Sequence, residues 1–134
     1  MSKTITQRVI FPGATAKAVY GVYMSSKKHA EATGAPAELS RAVGDKFTAH
    51  NKHIKGRNLA VQANKMVVQT WRAKGWDRAH GDSVLTLRFA DTDEGCELEM
   101  VHACVPDEAT ADLKKGWNKM YWSPFKKYLK KNAS

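Results

Sequence analysis

The chain has 134 residues, 43% of them hydrophobic and 26% charged, a composition that suits one packed globular domain over residues 1–134. Lysine and arginine number 22 against 13 acidic residues, a net charge of +9 that favours anionic partners over cationic ones. No apolar run approaches the roughly 20 residues that cross a bilayer, and no apolar signal core follows Met1-Ser2-Lys3-Thr4.

In chain order, Thr4 to Phe11 alternates Ile5, Gln7 and Val9 against Thr6, Arg8 and Ile10, the pattern of a strand closed by Pro12-Gly13. Thr15 is placed to cap a short helix with Val19, Val22 and Tyr23 on one side. Ser25-Ser26 can cap a second one, through Ala32, that Gly34 and Pro36 end. About six strands are expected next. Ser40 to Asn51 and Arg57 to Asn64 come first, with Leu59 and Val61 sharing a face of the latter. Met66 to Lys74 carries Val67, Gln69 and Trp71 on one face, and Ser83 to Ala90 carries Leu85, Leu87 and Phe89. Cys96 to Val105 sets Cys96, Leu98, Met100, His102 and Cys104 against Glu97, Glu99, Val101 and Ala103. Short turns between neighbours predict an antiparallel meander with one face to bury.

Asp107 to Asn132 reads as one long helix, with Asp107-Glu108 at its positive dipole end. At 100° per residue, Leu113, Trp117, Met120, Tyr121, Phe125 and Tyr128 form an apolar arc. Lys115, Lys119, Lys126 and Lys130 form a stripe nearly opposite, with Trp122 at its edge. Pro124 falls inside the helix and should bend it or loosen its first contact with the sheet. The expected class is therefore α+β, a curved antiparallel sheet holding the C-terminal helix.

The chemistry-bearing residues are sparse. Cys96 and Cys104 are eight residues apart on one strand, too far for a disulfide, and as free thiols they fit a reducing, cytoplasmic setting. His50 and His53 alone approach metal-ligand spacing, and they lack neighbouring cysteine or carboxylate. Cys104 and His102 share a strand face about 7 Å apart, with no oxyanion device to make a nucleophile of the thiol. No P-loop, G-x-S-x-G or carboxylate pair occurs, so no catalytic residue, metal or cofactor is expected. The lack of RNP-like, helix-turn-helix or zinc-finger patterns weighs against nucleic acid. Arg72 is expected to pair with Glu97 or Glu99. His102 reads either as a hydrogen-bonded core histidine or as a polar group inside a ligand cavity, with Gln69 as its possible mate. The lysine stripe reads either as a solvated face or as a contact for an acidic partner, with Trp122 a partly exposed anchor.

Several runs resemble a known family. Gly44 and Phe47 lead into Thr48-Ala49-His50-Asn51-Lys52-His53-Ile54-Lys55-Gly56. Val67-Val68-Gln69-Thr70-Trp71-Arg72 follows, with Trp76 completing W-R-x-x-x-W. Ser83-Val84-Leu85-Thr86-Leu87, Gly95-Cys96-Glu97-Leu98, Val105-Pro106 and Gly116-Trp117 with Tyr121 come in order after them. Together they resemble the activator of heat-shock protein 90 ATPase homologue domain, of the START-like helix-grip superfamily. Asp45 departs from the pattern where a second glycine is common, and Cys96 where threonine is usual. The resemblance implies a sheet gripping the C-terminal helix around a cavity. It implies a non-enzymatic binding domain whose partner is heat-shock protein 90; the surface expected to meet that partner, from the helix pattern itself, is Lys115, Lys119, Trp122, Lys126 and Lys130. The alternative it implies is a carrier of a small hydrophobic ligand. That cavity would be lined by Gln69, Trp71, Leu85, Leu87, Leu98, Met100, His102, Trp117, Met120 and Tyr121.

Overall fold

Alternating strands with one apolar face must cover that face, and the long C-terminal segment does so in the computed structural model, which describes residues 2–132. Met1 and residues 133–134, the ends of the expected domain, lie outside the described residues. β1 (Ser2–Pro12) is followed by α1 (Ala16–Met24) and α2 (Ser26–Thr33). Then come β2 (Lys46–Ala49), β3 (Ile54–Gln62), β4 (Met66–Ala73), β5 (Ser83–Thr92) and β6 (Gly95–Pro106). The strands form one antiparallel sheet in the order β1-β6-β5-β4-β3-β2, a five-strand meander with β1 added at the β6 edge. The class is α+β, and the fold is the helix grip.

Local chemistry explains the small helices. The Thr15 hydroxyl accepts from the Ala18 amide at 3.1 Å, and the Ser25 hydroxyl from Lys28 at 3.2 Å, each satisfying an otherwise orphaned helix-start donor. Gly34 ends α2 in the left-handed conformation, φ 80°. A side chain at Gly56 would overlap the Thr70 carbonyl of β4 and the Phe47 ring, so only glycine lets β2, β3 and β4 lie this close.

Alternation holds cleanly in β4 and β5, where Val67, Gln69, Trp71, Leu85, Leu87 and Phe89 are all buried. Two bulges break it elsewhere. In β3 the register shifts between Asn58 and Ala60; Asn58 turns inward and Leu59 outward, where it is 46% exposed, so Leu59 and Val61 do not share a face. Near the end of β6, opposite the register shift between Lys3 and Ile5 of β1, Cys104 takes a left-handed φ of 61°. Cys104 is thereby exposed and Val105 buried, which separates the thiol from the His102 side of the strand. Five strands follow the helices where about six are expected, and the first is short, because Ser40 to Asp45 is loop and β2 begins only at Lys46.

The C-terminal segment runs from Asp107 to Asn132 in four pieces: a 3-10 turn (Asp107–Ala109), α3 (Thr110–Trp117), a π-helical turn (Asn118–Trp122) and α4 (Ser123–Asn132). The Ser123 amide donates to the Asn118 carbonyl, an i→i−5 bond. Pro124 follows directly. Its ring has no amide to offer and would crowd the carbonyl four residues back, and a widened turn relieves both problems.

Candidate functional site

The interface of sheet and helix is a layer of aromatic rings joined by two buried hydrogen-bond relays. Trp117 and Trp122 stack at 5.3 Å with ring planes 13° apart. Trp71 lies 5.6 Å from Trp117 and 4.8 Å from His102. The first relay starts at the Trp117 indole, which donates to His102 Nδ1 at 3.1 Å. That bond makes Nδ1 the acceptor and fixes the proton on Nε2, which faces the Ser83 hydroxyl at 2.7 Å. Ser83 in turn donates to the Trp71 carbonyl at 2.6 Å. Burial presses the His102 pKa down from 6.5 to about 4, so the ring is neutral.

The second relay begins at Tyr23, whose hydroxyl donates to Gln69 Oε1 at 2.7 Å. The Gln69 amide donates to Asn58 Oδ1 at 2.9 Å, and Asn58 donates to the Ser40 and Ala42 carbonyls. The relay thus pins the loop before β2. Asn58 faces inward opposite Gln69, just before the β3 bulge. Gln69 and His102 therefore belong to different networks and do not pair.

Around Tyr121 the bonding is less complete. His29 Nδ1 faces the Tyr23 carbonyl at 2.8 Å and must carry the proton, which leaves Nε2 as a bare lone pair. That atom is buried without a partner among the described residues, as is Nε2 of His50. Both rings meet Tyr121 edge-on, at 5.5 and 4.9 Å. Burial lowers the His29 pKa to about 4, with the Tyr23 carbonyl opposing and the His50 charge adding to it. Burial also lowers His50, and it raises Tyr121.

Nine of the ten residues expected between helix and sheet are buried there; Met120, at 45% exposure, is not. Trp122, expected among the lysines, is 1% exposed, and its indole donates to Gln7 of β1 at 2.9 Å. One cause accounts for both corrections. A π turn advances less than 100° per residue, so residues beyond Trp117 lag behind their α-helical positions. The lag carries Trp122 into the core and Met120 out of it. It also splits the lysine stripe. Lys119 lines a surface groove with Lys127, Lys131, Glu31 and Tyr128, whereas Lys126 lies over the Phe11 ring of β1 at 5.9 Å. Lys115 and Lys130 are exposed.

Arg72 departs from expectation as well. It binds the carbonyls of Asp77 and His80 at 2.6 and 2.7 Å and Asp82 at 3.3 Å. Glu97 instead faces Arg8 at 3.7 Å, since β6 is not a neighbour of β4. Among the described residues no group of three or more histidine, cysteine or acidic side chains could hold a metal ion. No helix among the described residues is long and apolar enough to cross a membrane. The buried relays are what sequence reasoning missed most; a run of inward polar residues, Asn58, Gln69, Ser83 and His102, was the available signal.

The model of the family described as "Activator of Hsp90 ATPase homolog 1-like protein" matches residues 13–130. The chain belongs to this family. It is 28% identical over 108 residues to the human activator of 90 kDa heat shock protein ATPase homolog 1, covering 81% of this chain and 32% of the human one. The chain thus spans about a third of that relative's length. A crystal structure of a Mesorhizobium loti protein is similar over 98% of this chain and all of its own, with TM-score 0.84 and 19% identity. An HSP90 activator from Plasmodium falciparum aligns over 92% of this chain and 91% of its own, with TM-score 0.77 and 19% identity. In this member the W-R-x-x-x-W residues divide their work. Trp71 enters the ring layer, Arg72 ties down the β4–β5 loop, and Trp76 packs on Trp71 at 5.7 Å.

Proposed function

We propose that this domain is a non-catalytic docking module for the 90 kDa heat shock protein chaperone, acting through the exposed face of its C-terminal helix. Family membership supports the partner, since human and Dictyostelium discoideum relatives are both named as activators of that chaperone's ATPase. The observation that carries the surface is the lysine face left by the π turn: Lys115, Lys119, Lys127 and Lys131, with Met120 exposed among them. Lysines around one flexible apolar side chain suit an acidic partner surface with an apolar centre. Binding energy spent preferentially on the chaperone's closed state would shift its population toward ATP turnover. A cytoplasmic setting goes with this reading, as do the two free cysteines.

The test is titration of the chaperone at two salt concentrations. Lys115→Glu with Lys119→Glu should weaken binding about tenfold or more, equal to about 1.4 kcal/mol. The wild-type affinity should fall with added salt. Lys126→Glu with Lys130→Glu, on the side facing β1, should change it far less. Equal losses in the two double variants, or none in either, would sink the assignment. The alternative, a carrier of a small hydrophobic ligand, would need the Trp71–His102–Trp117 layer to part, at the expense of the relay that runs through it.

A further inference from the structure

The β2–β3 turn and the adjoining ends of β3 and β4 form a second concavity, of about 560 Å³, lined by His50, Lys52, His53, Lys55, Lys74 and Trp76 among others. None of its lining residues is acidic. Lys52, Lys55 and Lys74 are exposed, and none of them takes part in an ion pair among the described residues. Arg72 also borders the groove, but its guanidinium is committed to Asp77, His80 and Asp82.

Sheet register gathers these cations. Ile54 lies opposite Ala73 and Lys55 opposite Arg72, and the Lys74 amide donates to the His53 carbonyl at 2.7 Å. The turn itself is strained. His50, Asn51 and Lys52 are all left-handed, at φ 49°, 55° and 69°, with no glycine among them. Such a run costs energy at each residue and persists only when its surroundings hold it. Here the Asn51 amide donates to the Pro36 carbonyl at 2.9 Å and His53 to the His50 carbonyl at 3.1 Å. Held this way, His50 packs inward against Tyr121 with its Nε2 unpartnered, while Lys52 stays outside.

Crowded like charges without a counter-charge repel, and an entering anion relieves them. We propose that this groove binds a phosphate group, carried by a small soluble phosphate monoester or by a lipid headgroup, with Lys52, Lys55 and Lys74 as its cationic ligands. A doubly charged group with three acceptor oxygens matches three ammonium donors better than a carboxylate does. The site is separate from the helix face assigned to the chaperone, and each stands without the other.

Amide NMR of the full chain at low salt tests it, with inorganic phosphate, ribose 5-phosphate and vesicles containing phosphatidic acid as probes. Saturable shifts at Lys52–Lys55 and Lys74–Trp76 with either soluble probe support a soluble ligand. Binding confined to the vesicles supports the same groove as a headgroup seat. The Lys52→Ala, Lys55→Ala, Lys74→Ala triple variant should weaken the effective probe about tenfold or more, whereas Lys119→Ala with Lys127→Ala should leave it unchanged. The three positions are exposed, and an unaltered amide spectrum outside the groove verifies that the triple variant folds. No saturable binding, the same affinity in the triple variant, or an equal loss in the helix variant overturns the proposal.

Discussion

The two ends of the aromatic layer treat histidine in opposite ways. Both nitrogens of His102 have partners, in a relay from Trp117 through Ser83 to the Trp71 carbonyl. Near Tyr121, His29 is just as deeply buried but satisfies only Nδ1, and the Nε2 atoms of both His29 and His50 are bare. A buried polar group without a partner forfeits the hydrogen bond it had in water, about 1–3 kcal/mol. The Trp117 end, where the Trp71 indole N–H is the polar atom left without a partner, is the anchor of the grip, and the Tyr121 end is where histidine nitrogens go unpaired among the described residues.

The largest expected effect lies at the anchor. Trp117→Ala removes a fully buried indole and orphans His102, and should cost about 3–5 kcal/mol in urea unfolding. A loss below 1 kcal/mol would mean that the helix is held elsewhere. Acid comes next. His29 and His102 are neutral when folded, with pKa values near 4, while the unfolded chain protonates near 6.5. Their stabilisation is complete above pH 6.5 and declines as the pH falls from 6.5 toward 4, because the unfolded state then binds more protons. At pH 5 each histidine should have withdrawn about 2 kcal/mol relative to pH 7. Urea midpoints that match at the two pH values would contradict this.

The sharpest separation of the two ends is a pair of conservative replacements. His102→Phe strands the Trp117 indole N–H and should cost about 1–3 kcal/mol. His29→Phe keeps the edge-on ring contacts, discards the bare lone pair and strands only the Tyr23 carbonyl, so about 1 kcal/mol or less is expected. Each should also remove its own share of the acid sensitivity, the other histidine and His50, which burial lowers as well, keeping the rest. Equal costs for the two would erase the distinction between the ends.

Much of the fold was legible because it rests on period. The period-2 pattern of Val67, Gln69, Trp71 and of Leu85, Leu87, Phe89 survives intact, and Thr15, Ser25 and Gly34 cap the helices that their positions predict. What stayed hidden was every place where one residue slips the phase: Asn58 to Ala60 in β3, Cys104 in β6, and Asn118 to Trp122 in the helix. A slip leaves no mark on composition, yet it reverses which side chains face the core. In the helix it exchanged Met120 and Trp122 and sorted the lysines into two groups. Pro124 was the one local hint, and the backbone widens in the turn directly before it. The relays were hidden for a different reason, since they join residues far apart in sequence, such as Tyr23 and Gln69, or Trp117 and His102.

The π turn has one more consequence, concerning how a single rod can fit two walls. Before the turn, Trp117 must mesh with His102 of β6; after it, Trp122 and Phe125 must mesh with Gln7 and Phe11 of β1 and with Tyr23 of α1. A uniform helix offers a single angular setting for both. The widened turn works as a vernier between them, so that each half can be set to its own wall. Removing one residue between Asn118 and Trp122 would therefore do more than shorten the helix. It would lock the two halves to a common setting and leave one of them out of step with the sheet.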